Sequence, residues 1–150
     1  MARAVLSLRG DRPVAGGGVG SPPTTRGELT VETAPILTWT LISECPIPND
    51  VQSLLVPGEQ AVAAYKTFRD SAIFTTKRLI VRDAQGLTGK KVEVYSLPYS
   101  SINMWSSENA GMLDTNAEME LWTRVGHVKV NLRKGVDVRR LDSLIAQYVL

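Results

Sequence analysis

The stretch AVAAYKTFRDSAIFTTKRLIVRD, residues 61–83, decides the fold. Ala61, Ala63 and Tyr65 fall on one face of an extended segment, and Val62, Ala64, Lys66 and Phe68 fall on the other. That is the two-residue period of a pleated strand. Arg69-Asp70 supplies a polar turn, after which Ala72 to Thr75 and Leu79 to Arg82 make two further strands. Strands this short, joined by turns of a few residues, pair with their sequence neighbours and so run antiparallel.

The same texture continues downstream. Asp83 to Gly86 and Thr88-Gly89 punctuate the chain, and Val92, Val94 and Tyr95 form the next strand before Leu97-Pro98-Tyr99 interrupts it. Ile102, Met104 and Ser106 alternate as far as the Asn109-Ala110-Gly111 turn. Ala117 to Arg124 and His127 to Leu132 read as a last hairpin about Val125-Gly126. Then the period changes: Val138, Leu141, Leu144, Ile145 and Tyr148 recur at three and four residues, the stripe of an amphipathic helix, with Asp137 as its cap. The expected fold is mainly β (α+β), a small antiparallel barrel or two curved sheets capped by a C-terminal helix.

Upstream, Asn49 is positioned to cap a short helix that carries Val51, Leu54 and Leu55 and stops at Pro57-Gly58. Between Gly27 and Pro48, weak alternation at Leu29, Val31 and Thr33 and the apolar run Ile36 to Ile42 describe a connector that can carry a short added strand. Residues 10–27 hold six of the twelve glycines and three of the eight prolines, too little apolar surface to offset the entropy of ordering them. The expected division is a flexible tail and connector over 1–44 and a folded domain over 45–150. Within the tail, Gly16 to Gly20 lacks the Lys-Ser/Thr of a phosphate loop. Its composition also suggests a natural start further downstream, which an intact native Met1 or Ala2 by mass spectrometry rejects.

Composition narrows the function. The 150 residues, 43% of them hydrophobic, suit one ordinary domain. A net charge of +2 excludes bulk electrostatic capture of nucleic acid. The lone Cys45 can form neither an internal disulfide nor a Cys-rich zinc site, which favours a reducing, cytoplasmic setting. The longest apolar run, Ile36 to Ile42, is far short of the about 20 residues a spanning helix needs.

Five ordered blocks carry a specific resemblance. They are Tyr65 to Asp70 with Phe74 to Ile80, Asp83 to Lys91, Ser96 to Ile102, Glu108 to Asp114, and Ala117 to Leu121. Together they resemble the bacterial pleckstrin-homology (PH) domain family over roughly residues 49–150. Thr76 stands where the family more often has Asn, Leu87 sits inside the glycine turn, and Asn109 replaces a common Thr. The resemblance implies a PH-like barrel that is non-enzymatic and prone to form homo-oligomers of ring or dome type; no cofactor is expected.

Two sets of residues are candidates for binding. Lys66, Arg69, Lys77 and Arg78 sit at strand ends and loosely resemble the basic residues through which eukaryotic PH domains bind anionic lipid headgroups. Arg69 and Asp70 can equally form an ion-pair network that locks the first hairpin, or a subunit contact. Met104, Trp105, Met112 and Leu113 group around the Glu108 to Asp114 loop with Trp122 on a nearby strand, residue types that anchor interfaces. His127 has no local partner for acid-base work, and Glu118 and Glu120 share a strand face more suited to solvent than to a metal. The leading expectation is a self-assembling scaffold or protein-interaction module, with itself or an unidentified protein as partner. The alternative is a peripheral binder of anionic headgroups or another anionic ligand.

Overall fold

Antiparallel pairing of sequence neighbours builds most of the molecule. The computed structural model describes residues 34–85, 88, 90–112 and 116–150. In one sheet β2 (Ser43–Cys45), β3 (Ala61–Lys66), β4 (Ser71–Thr75), β5 (Arg78–Gln85) and β6 (Lys91–Pro98) lie in chain order. In the other, β1 (Leu37–Leu41) is followed by β9 (Gly126–Leu132), β8 (Ala117–Thr123) and β7 (Ile102–Glu108). Helix α1 (Val138–Val149) packs against β7 and β8, its N-terminus capped by Asp137, which accepts the Arg139 and Arg140 N–H groups. This is the PH-like architecture expected from the strand pattern and the closing helix.

One corner of the barrel is closed by a continuous run of chain. Strand β1 pairs in parallel with β9, β2 pairs antiparallel with β3, and only Ile42 separates them. Ile42 itself donates its N–H to the Lys66 carbonyl at 2.8 Å. Leu41 is fully buried, and the folded unit begins at Pro35. Residues 35–44 therefore belong to the fold, not to the connector assigned over 1–44. Parallel pairing with a strand that begins at Gly126 has no hairpin signal in the local sequence, which is why the boundary reads late. The closure is tight: a side chain at Gly126, whose φ is +136°, would meet Cγ2 of Ile36 at 2.7 Å.

The opposite corner is open. A 3-10 turn, Tyr99–Ser101, joins β6 to β7, and each of these strands ends its sheet. Along β6, Val92 and Val94 are exposed, as is Met104 on β7.

The centre of the β2–β6 sheet, strands β3 to β5, is buried on both faces. Ala63, Tyr65, Ala72, Phe74, Leu79 and Val81 face the main core, with Leu121, Val130, Leu141 and Ile145 on its far side. Val51 from the 3-10 helix Asn49–Leu54 presses on Ala64, Ile73 and Ile80 on the outer face. Double burial makes β4 inaccessible along its whole length. It also explains a slip in the alternation of β3, where a bulge between Ala61 and Ala63 turns Ala61 towards the outer cluster. The strand ends at Lys66, so Phe68 occupies the turn and not a strand face. The cap expected at Asn49 is absent: Pro48 precedes the helix without a side-chain bond. Strand β6 continues through Leu97 to Pro98, which sits opposite Arg78.

Candidate functional site

The four basic residues singled out from sequence do not converge. Lys66 and Arg69 stand at the β3–β4 turn, Lys77 and Arg78 at the β4–β5 turn. Between them runs the five-residue β4, and at about 3.4 Å per residue that separation exceeds the reach of a single headgroup.

At the β4–β5 end the chemistry is closed on itself. Glu59 is buried, with Oε1 3.0 Å from Arg78 Nε and Oε2 3.2 Å from Arg78 Nη2. The Thr75 hydroxyl lies 2.7 Å from Oε1, and the Val56 N–H donates to Oε2 at 3.0 Å. Arg78 donates further to the Leu54 carbonyl at 2.6 Å and to Ser96 Oγ at 3.0 Å. Burial opposes ionisation of Glu59, but hydrogen bonds from Arg78, Val56 and Thr75 and the charge of Arg78 outweigh it, lowering the carboxyl to about 2. With four of its five donors engaged, Arg78 is a structural cation that ties the 3-10 helix to β5. Lys77 beside it is exposed.

At the β3–β4 end the cations face solvent. Asp70 N–H donates to Thr67 Oγ1 and Thr67 N–H to the Asp70 carbonyl, both at 3.1 Å, so the turn holds Phe68 out rigidly at 67% exposure. Arg133, from the turn before α1, lies 5.5 Å from the Phe68 ring centre. Arg69 reaches Asp83 at 3.3 Å, and Arg82 holds Asp70 at 3.3 Å and Asp50 at 3.0 Å. These cross-strand pairs are the hairpin-locking network that the Arg69-Asp70 dipeptide suggested, made to other partners.

The residues proposed as interface anchors also divide. Met104 is exposed and lies opposite the half-buried Trp122, which stacks on His127 at 5.7 Å. Trp105 points inward and donates from Nε1 to Asp142 of α1 at 2.9 Å, joined there by Ser107 Oγ at 3.1 Å. Met112 is exposed, and Leu113 lies outside the described residues. On the same outer sheet face, Glu118 binds Lys129 at 2.7 Å, while Glu120 is 3.9 Å from His127. Burial pushes the Cys45 thiol up, with Lys66 pulling the other way, so it is no ready thiolate. Tyr99 lies buried beneath α1, stacked on Tyr148 at 5.8 Å.

Sequence reasoning missed three features: Glu59, the cation Arg133 ahead of α1, and Arg139 in its first turn. No local pattern marks Glu59, whereas Arg133-Lys134-Gly135 is visible as a basic turn ahead of a helix.

Comparison with known proteins agrees with this architecture. The chain belongs to the bacterial PH domain family, whose model matches residues 31–149. It is 43% identical over 81 residues to the uncharacterized protein YjqA of Bacillus subtilis (strain 168), a match spanning 54% of this chain and 65% of YjqA, under two thirds of that relative. It is 31% identical over 108 residues to the uncharacterized protein YozO of the same organism, 72% of this chain and 94% of YozO. Among solved structures, a DUF1696 family protein with a PH domain from Shewanella loihica PV-4 superposes with a TM-score of 0.66 at 36% identity, covering 72% of this chain and 97% of the other. A PH domain from Shewanella amazonensis SB2B gives 0.56 at 40% identity, covering 67% and 83%.

Proposed function

We propose that this PH-like domain is a non-catalytic interaction module that self-assembles through its two open edges. The observation that carries the reading is the corner at Tyr99–Ser101, where β6 and β7 both end their sheets with Val92, Val94 and Met104 exposed. Unpaired strand edges with apolar side chains are templates for further pairing, and closed assembly is a standard way to cover them. The anionic-ligand alternative draws less support, because Lys66 and Arg69 are separated from Lys77 and Arg78 by β4 and because Arg78 is committed internally.

Light scattering behind a sizing column tests the reading on the full chain. The expected result is a discrete multiple of 16.4 kDa that falls to 16.4 kDa in the Val94→Lys, Met104→Lys variant without loss of sheet signal in circular dichroism. A wild-type chain that elutes at 16.4 kDa at every concentration overturns it.

A further inference from the structure

The turn before α1 and residues 109–112, which follow β7, face each other across a cleft of about 530 Å³. That volume is within the range that small molecules occupy. Asn109, Ala110 and Met112 border one side, and Arg133, Lys134 and Arg139 the other. Among the described residues none of these three cations is in an ion pair, unlike Arg69, Arg78, Arg82 and Arg140. The turn is closed by the Val136 N–H donating to the Arg133 carbonyl at 3.1 Å, with Gly135 at φ +95°. In front of Gly135 there is open space, so the backbone is accessible from the cleft. Arg133 is further oriented by the Phe68 ring.

We propose that this cleft binds a phosphate group carried by a soluble small molecule. Guanidinium and ammonium groups supply charge-assisted donors whose geometry suits a multi-oxygen anion. The helix end does not supply them: Asp137 Oδ1 already takes the N–H groups of Arg139 at 3.0 Å and Arg140 at 3.2 Å. The Asp137 carboxylate also borders the cleft. It repels an anion there, so it weakens binding, and removing its charge is expected to tighten it. The site is independent of the open edges and stands whether or not the chain assembles.

Titration calorimetry of the full chain with inorganic pyrophosphate tests this directly. The expected dissociation constant is about 1 mM or tighter, weakened about tenfold or more by Lys134→Glu with Arg139→Glu. Lys77→Glu, at the other end of β4, leaves it unchanged. Asp137→Ser keeps a capping oxygen but removes the charge, and tightens binding. If the double variant misfolds, Lys134→Gln alone is expected to weaken binding about threefold. No heat with pyrophosphate, equal weakening by Lys77→Glu, or weakening by Asp137→Ser overturns the proposal. Binding to phosphatidylglycerol vesicles without binding to pyrophosphate also overturns it.

Discussion

The two ends of β4 carry the same kinds of residue and put them to opposite uses. At one end Arg78 is wrapped by Glu59, Leu54 and Ser96, so its charge serves the fold. At the other, Lys66 and Arg69 stand in solvent beside the exposed Phe68, with Arg133 over its ring. A cation in a strand-end loop has no fixed meaning. Its role follows from whether the surroundings complete its hydrogen bonds, and here two turns of one hairpin series give both answers.

The largest difference between the ends should appear on removing each arginine in turn. Arg78→Met leaves the Glu59 carboxylate buried beside Thr75 without its counter-charge, and it releases the Leu54 carbonyl. The expected cost is about 3–5 kcal/mol, read as a lowered urea midpoint. The accompanying change Glu59→Leu should recover part of that loss, because it removes the unpaired buried charge while the Val56 N–H and Leu54 carbonyl stay without their partners. A single variant as stable as the wild type would mean that the network contributes nothing to the fold.

Acid separates the ends next. The folded-state carboxyl of Glu59 lies at about 2, below its ordinary 4.5, so it adds stability above the ordinary value that is lost as pH falls through the folded one. Stability of the wild-type chain should therefore drop between pH of about 4.5 and about 2 more steeply than that of Glu59→Gln. Identical slopes, measured by urea melts across that window, would remove the network from the acid response.

What the sequence disclosed and what it hid divide along the same physical line. Strands β4 and β5 and helix α1 were legible because their periodicities are local, as was the PH-like family through its ordered motif blocks. Strand β1 was only half visible, since the apolar run Ile36 to Ile42 is there but its partner is β9. Arg78 read as a ligand residue because Glu59, Leu54 and Ser96 lie 19, 24 and 18 residues away. Trp105 read as an interface anchor because Asp142 is 37 residues further on. Residue type and local position report exposure only on average; they carry no record of which distant group completes a hydrogen bond.

The smallest expected effect gives the sharpest comparison, because both ends hold an arginine–carboxylate pair at similar distance, 3.3 Å for Arg69–Asp83 and 3.0 Å for Arg78–Glu59. Arg69 is 63% exposed, so its pair competes with water and with side-chain entropy. Arg69→Ala should cost no more than about 1 kcal/mol, and its coupling to Asp83 in a double-mutant cycle should fade in about 1 M salt. The Arg78–Glu59 coupling should persist there, because neither salt nor water reaches a carboxylate with no exposed surface. Equal salt sensitivity at the two ends would mean that the buried pair opens to solvent often enough to be screened. Arg78 would then regain the freedom to meet an anionic ligand, and the contrast between the two ends would become one of degree.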